Sequence, residues 1–487
     1  MSNDPPFPLP FSVIDEFAGA DFGDARLTRR LAVVASRMAS APAESLPRTS
    51  TSPSDLEATY RFFRNERVSA AAILAPHLAA TRARARSVTT LLSVEDTTEA
   101  RFGGTSRREG LGELMHGGQG FFLHASLLVG LVDGQAVPLG LGAYEVLTRT
   151  TRRETTTTKA ATKAKQKHIR TDPMREATRW LRVAQATDKA LAAESLSAIH
   201  VADREGDNYD FFGPLTRSRF VVRVAHTRVV TNHVEGFIPS PGHPQPQLDD
   251  AVATITVRAR RSVELSARVT SGGRRRAVTP RAAREAELEI KATTVSLRPP
   301  SVSDFKEPVT VNVVEVTEVG APDGEEPVRW RLLTTEPIAT EADVCSIVDI
   351  YRARWLIEEF FKALKTGCAM EDRQLETQTR LENTLAVEIP IAWQMLALRH
   401  AARTPTTPAS NVVPAAVLAL LAWMATTPGK NRWGIKLPNP ASPTAKEALW
   451  AIARIGGHLP NNGPPGWITI RRGLDDVMAI LTVWEPM

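Results

Sequence analysis

Three β-branched, apolar runs in close succession constrain this chain more than any other feature. Residues 87–96, 121–132 and 136–144 read as strands, and Asp133-Gly134 between the last two is a hairpin signal. An amphipathic helix over residues 174–192 follows, then strands at 197–203 and 219–224. A meander that gives way to strand and helix alternation predicts a mixed α/β sheet.

The flanks read differently. Up to about Pro76 the chain is helical: Leu27, Leu31, Val34 and Met38 recur at i, i+4, i+7 and i+11, with Arg26, Arg30 and Arg37 beside that stripe. Residues 1–76 read as a small helical domain with Arg26 and Arg30 on its basic face, a DNA-binding domain on one reading, although an arginine-decorated helix is more often only a solvated surface. Residues 227–330 are Pro/Gly-rich and then alternate in hydrophobicity, predicting an antiparallel β insertion into the central domain, 77–372. From residue 340 the pattern is helical to the end, and 373–487 is expected to form a separate helical domain.

With 43 % hydrophobic and 23 % charged residues, the chain is neither disordered nor fibrous. The net charge of +6 is unevenly spread: residues 149–170 hold eight Lys/Arg against Glu154, and 255–284 hold nine Arg against Glu264. Such concentration points toward a polyanion, solvated loops being the plainer alternative. Two cysteines, Cys345 and Cys368, make neither a disulfide framework nor a four-cysteine zinc site, which fits a reducing cytoplasm. Residues 1–10 lack the basic start of an export signal, and the apolar run 412–426, interrupted by Pro414, is too short to span a bilayer.

Asp96 and Asp203 each close an apolar run, where a strand's last side chain can meet one from its neighbour. By itself a strand-end aspartate is more often a cap than a catalyst. A third element is Tyr-x2-Arg-x3-Glu-x6-Lys at Tyr351, Arg354, Glu358 and Lys365. At about 100° per residue these four share one helical arc of about 60°, while Leu356, Ile357, Phe360 and Phe361 point elsewhere. An exposed helix with an Arg354/Glu358 ion pair satisfies the same spacing.

That motif resembles the signature of the bacterial insertion-sequence-four family of DDE transposases, on its transposon-five branch. The resemblance extends in order through residues 22–26, 60–65, 95–98, 201–205, 220–223, 330–337, 350–367 and 451–457. It implies an RNase H-like α/β catalytic core with helical domains at both ends, and makes Asp96, Asp203 and Glu358 the catalytic, metal-binding triad. Two Mg²⁺ ions, with Mn²⁺ as substitute, suit an all-carboxylate donor set. Tyr351, Arg354 and Lys365 would contact phosphates at the cleaved transposon end, and Trp330, 21 residues before Tyr351, would stack on a flipped base. Arg223 and Lys362 are further DNA contacts on the same reading. The implied partners are transposon ends, target DNA and a second copy of the chain, with cleavage in trans and no nucleotide cofactor or membrane.

Two positions depart from the family pattern, where Tyr209 and Phe361 stand in place of histidines. His124, inside a strand, reads as a buried structural histidine. Two other readings stay open: a catalytically silent DNA-binding inhibitor on this fold, and a simple metal-dependent nuclease.

Overall fold

The computed structural model describes residues 13–484 apart from 105, 116, 133, 150–175 and 266–280. The basic stretch 149–170 therefore lies outside the described residues except for Arg149, as does part of the second basic stretch.

The N-terminal part is helical as expected. Helix α1 (Ala25–Ser40) is capped by Asp24 and buries Leu31, Val34 and Met38. Helix α2 (Pro53–Arg64) opens with Pro53 in its first turn behind the Ser52 cap. Helix α3 (Ala70–Ala85) runs straight through Pro76, so the helical segment continues beyond the expected end. Its tolerance of an internal proline comes from packing: buried Ile73, Leu74 and His77 hold it in place.

Among the described residues ten strands form a single sheet: β1 (Thr90–Phe102), β2 (Gly112–Glu113), β3 (Gln119–Val132), β4 (Gln135–Leu147), β5 (Ile199–Ala202), β6 (Arg219–Arg223), β7 (Val257–Leu265), β8 (Arg284–Leu297), β9 (Val309–Val319) and β10 (Arg329–Thr334). Strands β3 and β4 make the expected hairpin, with Gly134 taking the positive φ of its turn. Strand β1 lies between antiparallel β3 and parallel β5, and β6 continues the parallel set. The sequence 4-3-1-5-6 across the sheet, a meander feeding three parallel strands, is the arrangement expected of an RNase H-like core.

The β insertion does not form a body of its own. Strands β9, β8 and β7 add in turn to β10, which pairs with β6, so the insertion widens the core sheet. It also holds a short helix, Leu248–Ala253, that the alternating pattern conceals.

Helix α4 (Arg179–Ala192) covers one sheet face; α5 (Glu341–Ala353) and α6 (Trp355–Lys362) cover the other. Strand alternation divides the side chains accordingly. Leu92, Val94, Ile199 and Val201 pack with Leu356, Ile357 and Phe360, whereas Ala202, Phe220 and Val222 pack with Trp180. Helix α7 (Gln378–Ala401) is buried on nearly every side. The chain ends in α8 (Ala415–Thr426), α9 (Ala445–Ile455) and α10 (Trp467–Leu481). Among the described residues no helix is long and apolar enough to cross a membrane.

Candidate active site

The parallel pairing of β1 with β5 runs from Leu92↔Ile199 to Val94↔Val201. Two residues further on stand Asp96 and Asp203, both on the face that looks toward α5 and α6. Asp96 does not end its strand, because β1 continues against β3, with Asp96 opposite Ala125. What ends there is the partnership with β5. Asp203 is the first residue beyond β5, and its carboxylate accepts the Glu205 N–H at 2.8 Å, shaping a short turn.

Helix α5 starts in a reciprocal cap between Thr340 and Asp343, which fixes the entry of the segment carrying the third acid. Glu358 lies in the first turn of α6, and Arg354 sits at the joint between α5 and α6. The Arg354 guanidinium donates to Glu358 Oε1 at 2.5 Å and stands 3.8 Å from Asp96 Oδ2. Burial, together with the charges of Asp203 and Glu358, pushes the Asp96 carboxyl up to about 7 although Arg354 opposes this. Asp96 and Glu358 thus meet on one arginine, and Asp203 bears on Asp96 through its charge.

The remaining candidates divide. Tyr351 is buried beneath Arg354, with its ring edge-on to Trp330 at 5.5 Å between centroids. Trp330, Arg223 and Arg204 line a cleft of about 530 Å³, in which Arg223 donates to the Arg329 carbonyl at 3.2 Å. The helix does not continue unchanged to Lys365: residues Ala363–Gly367 form a π-helical turn, and Lys365 reaches the Glu99 carbonyl and, at 3.4 Å, Glu371. Lys362 pairs with Glu359 at 3.2 Å and lies over the exposed Trp355 ring. Arg26 is exposed beside Asp24, whereas Arg30 and Arg37 both pair with Asp55.

Tyr209 is buried, with its hydroxyl 2.8 Å from the Glu307 carbonyl, and Phe361 is buried in the core. His124 is fully buried, its Nδ1 2.9 Å from Thr97 Oγ1. Cys368 is buried and its thiol pushed well above the usual range by that burial.

Two further arginines attach to this site. Arg204, exposed and without an ion pair among the described residues, lines both the Trp330 cleft and a neighbouring one of about 580 Å³. Arg179, at the start of α4, is buried behind the acids. Arg204 falls within the 201–205 match and could have been marked from it; an arginine opening a helix carries no such signal.

Residues 12–68 match the model of the family described as Transposase DNA-binding, and residues 129–388 match that described as Transposase DDE domain, over half of the chain. The chain belongs to the DDE transposase family. Both matches together support a DNA transposase, a metal-dependent enzyme class. Within this DDE transposase the family match includes Asp203 and Glu358 and opens in β3, after Asp96. Among the described residues no three His, Cys, Asp or Glu side chains are drawn tightly enough around one point to hold a metal ion. The candidate donors nevertheless fit a hard divalent cation: carboxylates only, with Asp96 largely buried, raised in pKa and repelled by Asp203 and Glu358, and Arg354 as the present counter-charge of Asp96 and Glu358.

Proposed function

We propose that this is a cut-and-paste transposase of the insertion-sequence-four type, most similar to the transposon-five branch. It nicks the transposon end, forms and opens a DNA hairpin, and transfers the freed 3′-OH ends into target DNA. The placement of Asp96 and Asp203 side by side where β1 and β5 part, with Arg354 and Glu358 across from them, carries the reading.

Asp96, Asp203 and Glu358 would hold two Mg²⁺ or Mn²⁺ ions. When bound, such ions polarise the scissile phosphate and stabilise charge on the entering and leaving oxygens. The protein's own groups bind and orient. Arg354 can fork onto a phosphate, exchanging its bond to Glu358 for one to DNA, and Lys365 adds a point charge. Trp330, with one edge against Tyr351, offers its ring to a base displaced from the duplex. Arg223, Arg26, Lys362 and Arg30 would touch backbone, Arg26 by exchanging Asp24, Lys362 by exchanging Glu359 and Arg30 by exchanging Asp55 for a phosphate.

On this reading residues 1–76 bind the end sequences, 77–372 carry catalysis, and 373–487 pair two copies so that each cuts the end its partner holds. The protein acts in the bacterial cytoplasm on the nucleoid.

The test is cleavage of a plasmid carrying the native element ends with purified protein and Mg²⁺ or Mn²⁺. End-specific nicks, hairpins and strand-transfer products are expected, and Glu358→Gln should abolish all three while still binding DNA. Absence of end-specific cuts, or full activity in Glu358→Gln, defeats the proposal. Trp330→Ala should keep the first nick and lose hairpin formation; equal loss of both steps removes the stacking role.

A further inference from the structure

The alternation that aims Asp96 at α5 and α6 sends Thr97 through to the opposite face, under α4, and the turn after Asp203 brings Glu205 there. Arg179 meets them there with all three arms of its guanidinium engaged. Its Nε donates to Thr97 Oγ1 at 2.9 Å, one terminal nitrogen to the Glu176 carbonyl at 2.8 Å, and the other to Glu205 Oε2 at 3.0 Å. Thr97 directly follows Asp96, and its own N–H donates to the Asp96 carboxylate at 2.7 Å. Glu205 belongs to the turn whose N–H holds the Asp203 carboxylate. The Thr97 hydroxyl accepts from Arg179 and stands 2.9 Å from His124 Nδ1, so it is held from both sides.

The position of this arginine matters because backbone pairing between β1 and β5 stops at Val94↔Val201. Past that point no ladder bond sets the separation of the two strands, while Asp96 and Asp203 repel each other. Arg179 bridges the strands beyond the end of the ladder, and its side chain is only 10 % exposed.

We propose that Arg179 is a positioning residue: by joining Thr97 to Glu205 behind the sheet, it fixes the spacing at which Asp96 and Asp203 share a divalent cation. This rests on the reading of those two aspartates as metal ligands. A role through charge alone has the opposite sign, since a cation near the site disfavours another cation.

The test is calorimetric titration of the full-length, DNA-free protein with Mn²⁺, on variants whose melting curves establish folding. Arg179→Gln and the uncharged Thr97→Val should each weaken Mn²⁺ binding about tenfold or more, the range for residues that orient metal ligands. Thr97→Ser, which keeps the hydroxyl, should bind as the parent does. Tighter binding by Arg179→Gln, or unchanged binding by a folded Thr97→Val, overturns the inference; should Arg179→Gln not fold, Thr97→Val decides. Asp96→Asn separates the two readings. If it binds Mn²⁺ as well as the parent, the metal-ligand assignment itself has failed. If it loses binding while folded Arg179→Gln and Thr97→Val keep theirs, only the positioning role has.

Discussion

His200 behaves as a buried cation. Burial opposes the charge, but hydrogen bonds to Asp188 at 2.9 Å and Glu95 at 2.8 Å, with the charges behind them, lift its pKa to about 9. An unfolded histidine titrates near 6.5, so the folded state holds this proton more tightly. The resulting stability is fully present below about pH 6.5 and disappears as pH rises through 9; its size is on the order of 3 kcal/mol. Urea denaturation should show the parent losing stability between pH 7 and 10, with His200→Gln weaker at pH 7 and flatter across the window. A level parent curve would mean that His200 is neutral in the fold. Arg204 gives a second test at this scale. Arg204→Ala should weaken DNA binding and lower the salt slope of log K by about 0.9, one phosphate contact. An unchanged slope excludes that contact. Sequence reading singled out Glu358 from a spaced motif, and Asp96 and Asp203 from strand ends and the resemblance, all signals local in the chain. It could not see that Arg30 is held by Asp55, or that Arg179 reaches Thr97, since these partnerships join residues far apart in the chain.

The polar stripe from Tyr351 to Lys365 shows how far helical arithmetic reaches. Uniform rotation correctly set Arg354 beside Glu358, four residues apart, but the joint at Arg354 and the π-helical turn over Ala363–Gly367 redirect Lys365. A turn widened by one residue follows from tertiary packing, here the α6 end seated against α7, and leaves no periodic trace. The Asp203 turn has a similar hidden constraint. A Cβ on Gly206 would stand 2.4 Å from Ala202 Cβ and 3.4 Å from the Trp180 ring. Neither neighbour is the free end of a flexible chain, so the turn itself must move. Gly206→Ala is expected to cost about 1–3 kcal/mol, read as a lower melting temperature, and to reduce cleavage more than DNA binding. Parental melting and cleavage would show that the turn yields without disturbing Asp203.

Across the whole molecule, the separations suggested by composition are bridged by packing. The strand content was legible from alternation; that the insertion joins the core sheet was not, because edge pairing of β10 with both β6 and β9 is a long-range choice. The N-terminal helices likewise lie against the C-terminal part: Asn383 of α7 donates to the Val68 carbonyl at 3.1 Å. Arg373 makes another such junction. Its guanidinium donates to Glu388 Oε1 of α7 at 2.6 Å, to the Pro42 and Glu44 carbonyls after α1, and to the Cys368 carbonyl after the π-helical turn. Three parts of the chain meet on one buried cation. Burial raises the Glu388 carboxyl to about 7 even with Arg373 beside it, so removing the arginine leaves an acid that water cannot reach. Arg373→Met should therefore cost about 3–5 kcal/mol, whereas Arg373→Met with Glu388→Met should recover much of that loss. Urea unfolding of both variants measures the difference. Limited proteolysis of Arg373→Met should cut first near residues 42–52, where the anchored carbonyls are released. Equal destabilisation of the single and double variants would show that the carbonyl bonds, and not the ion pair, hold the junction.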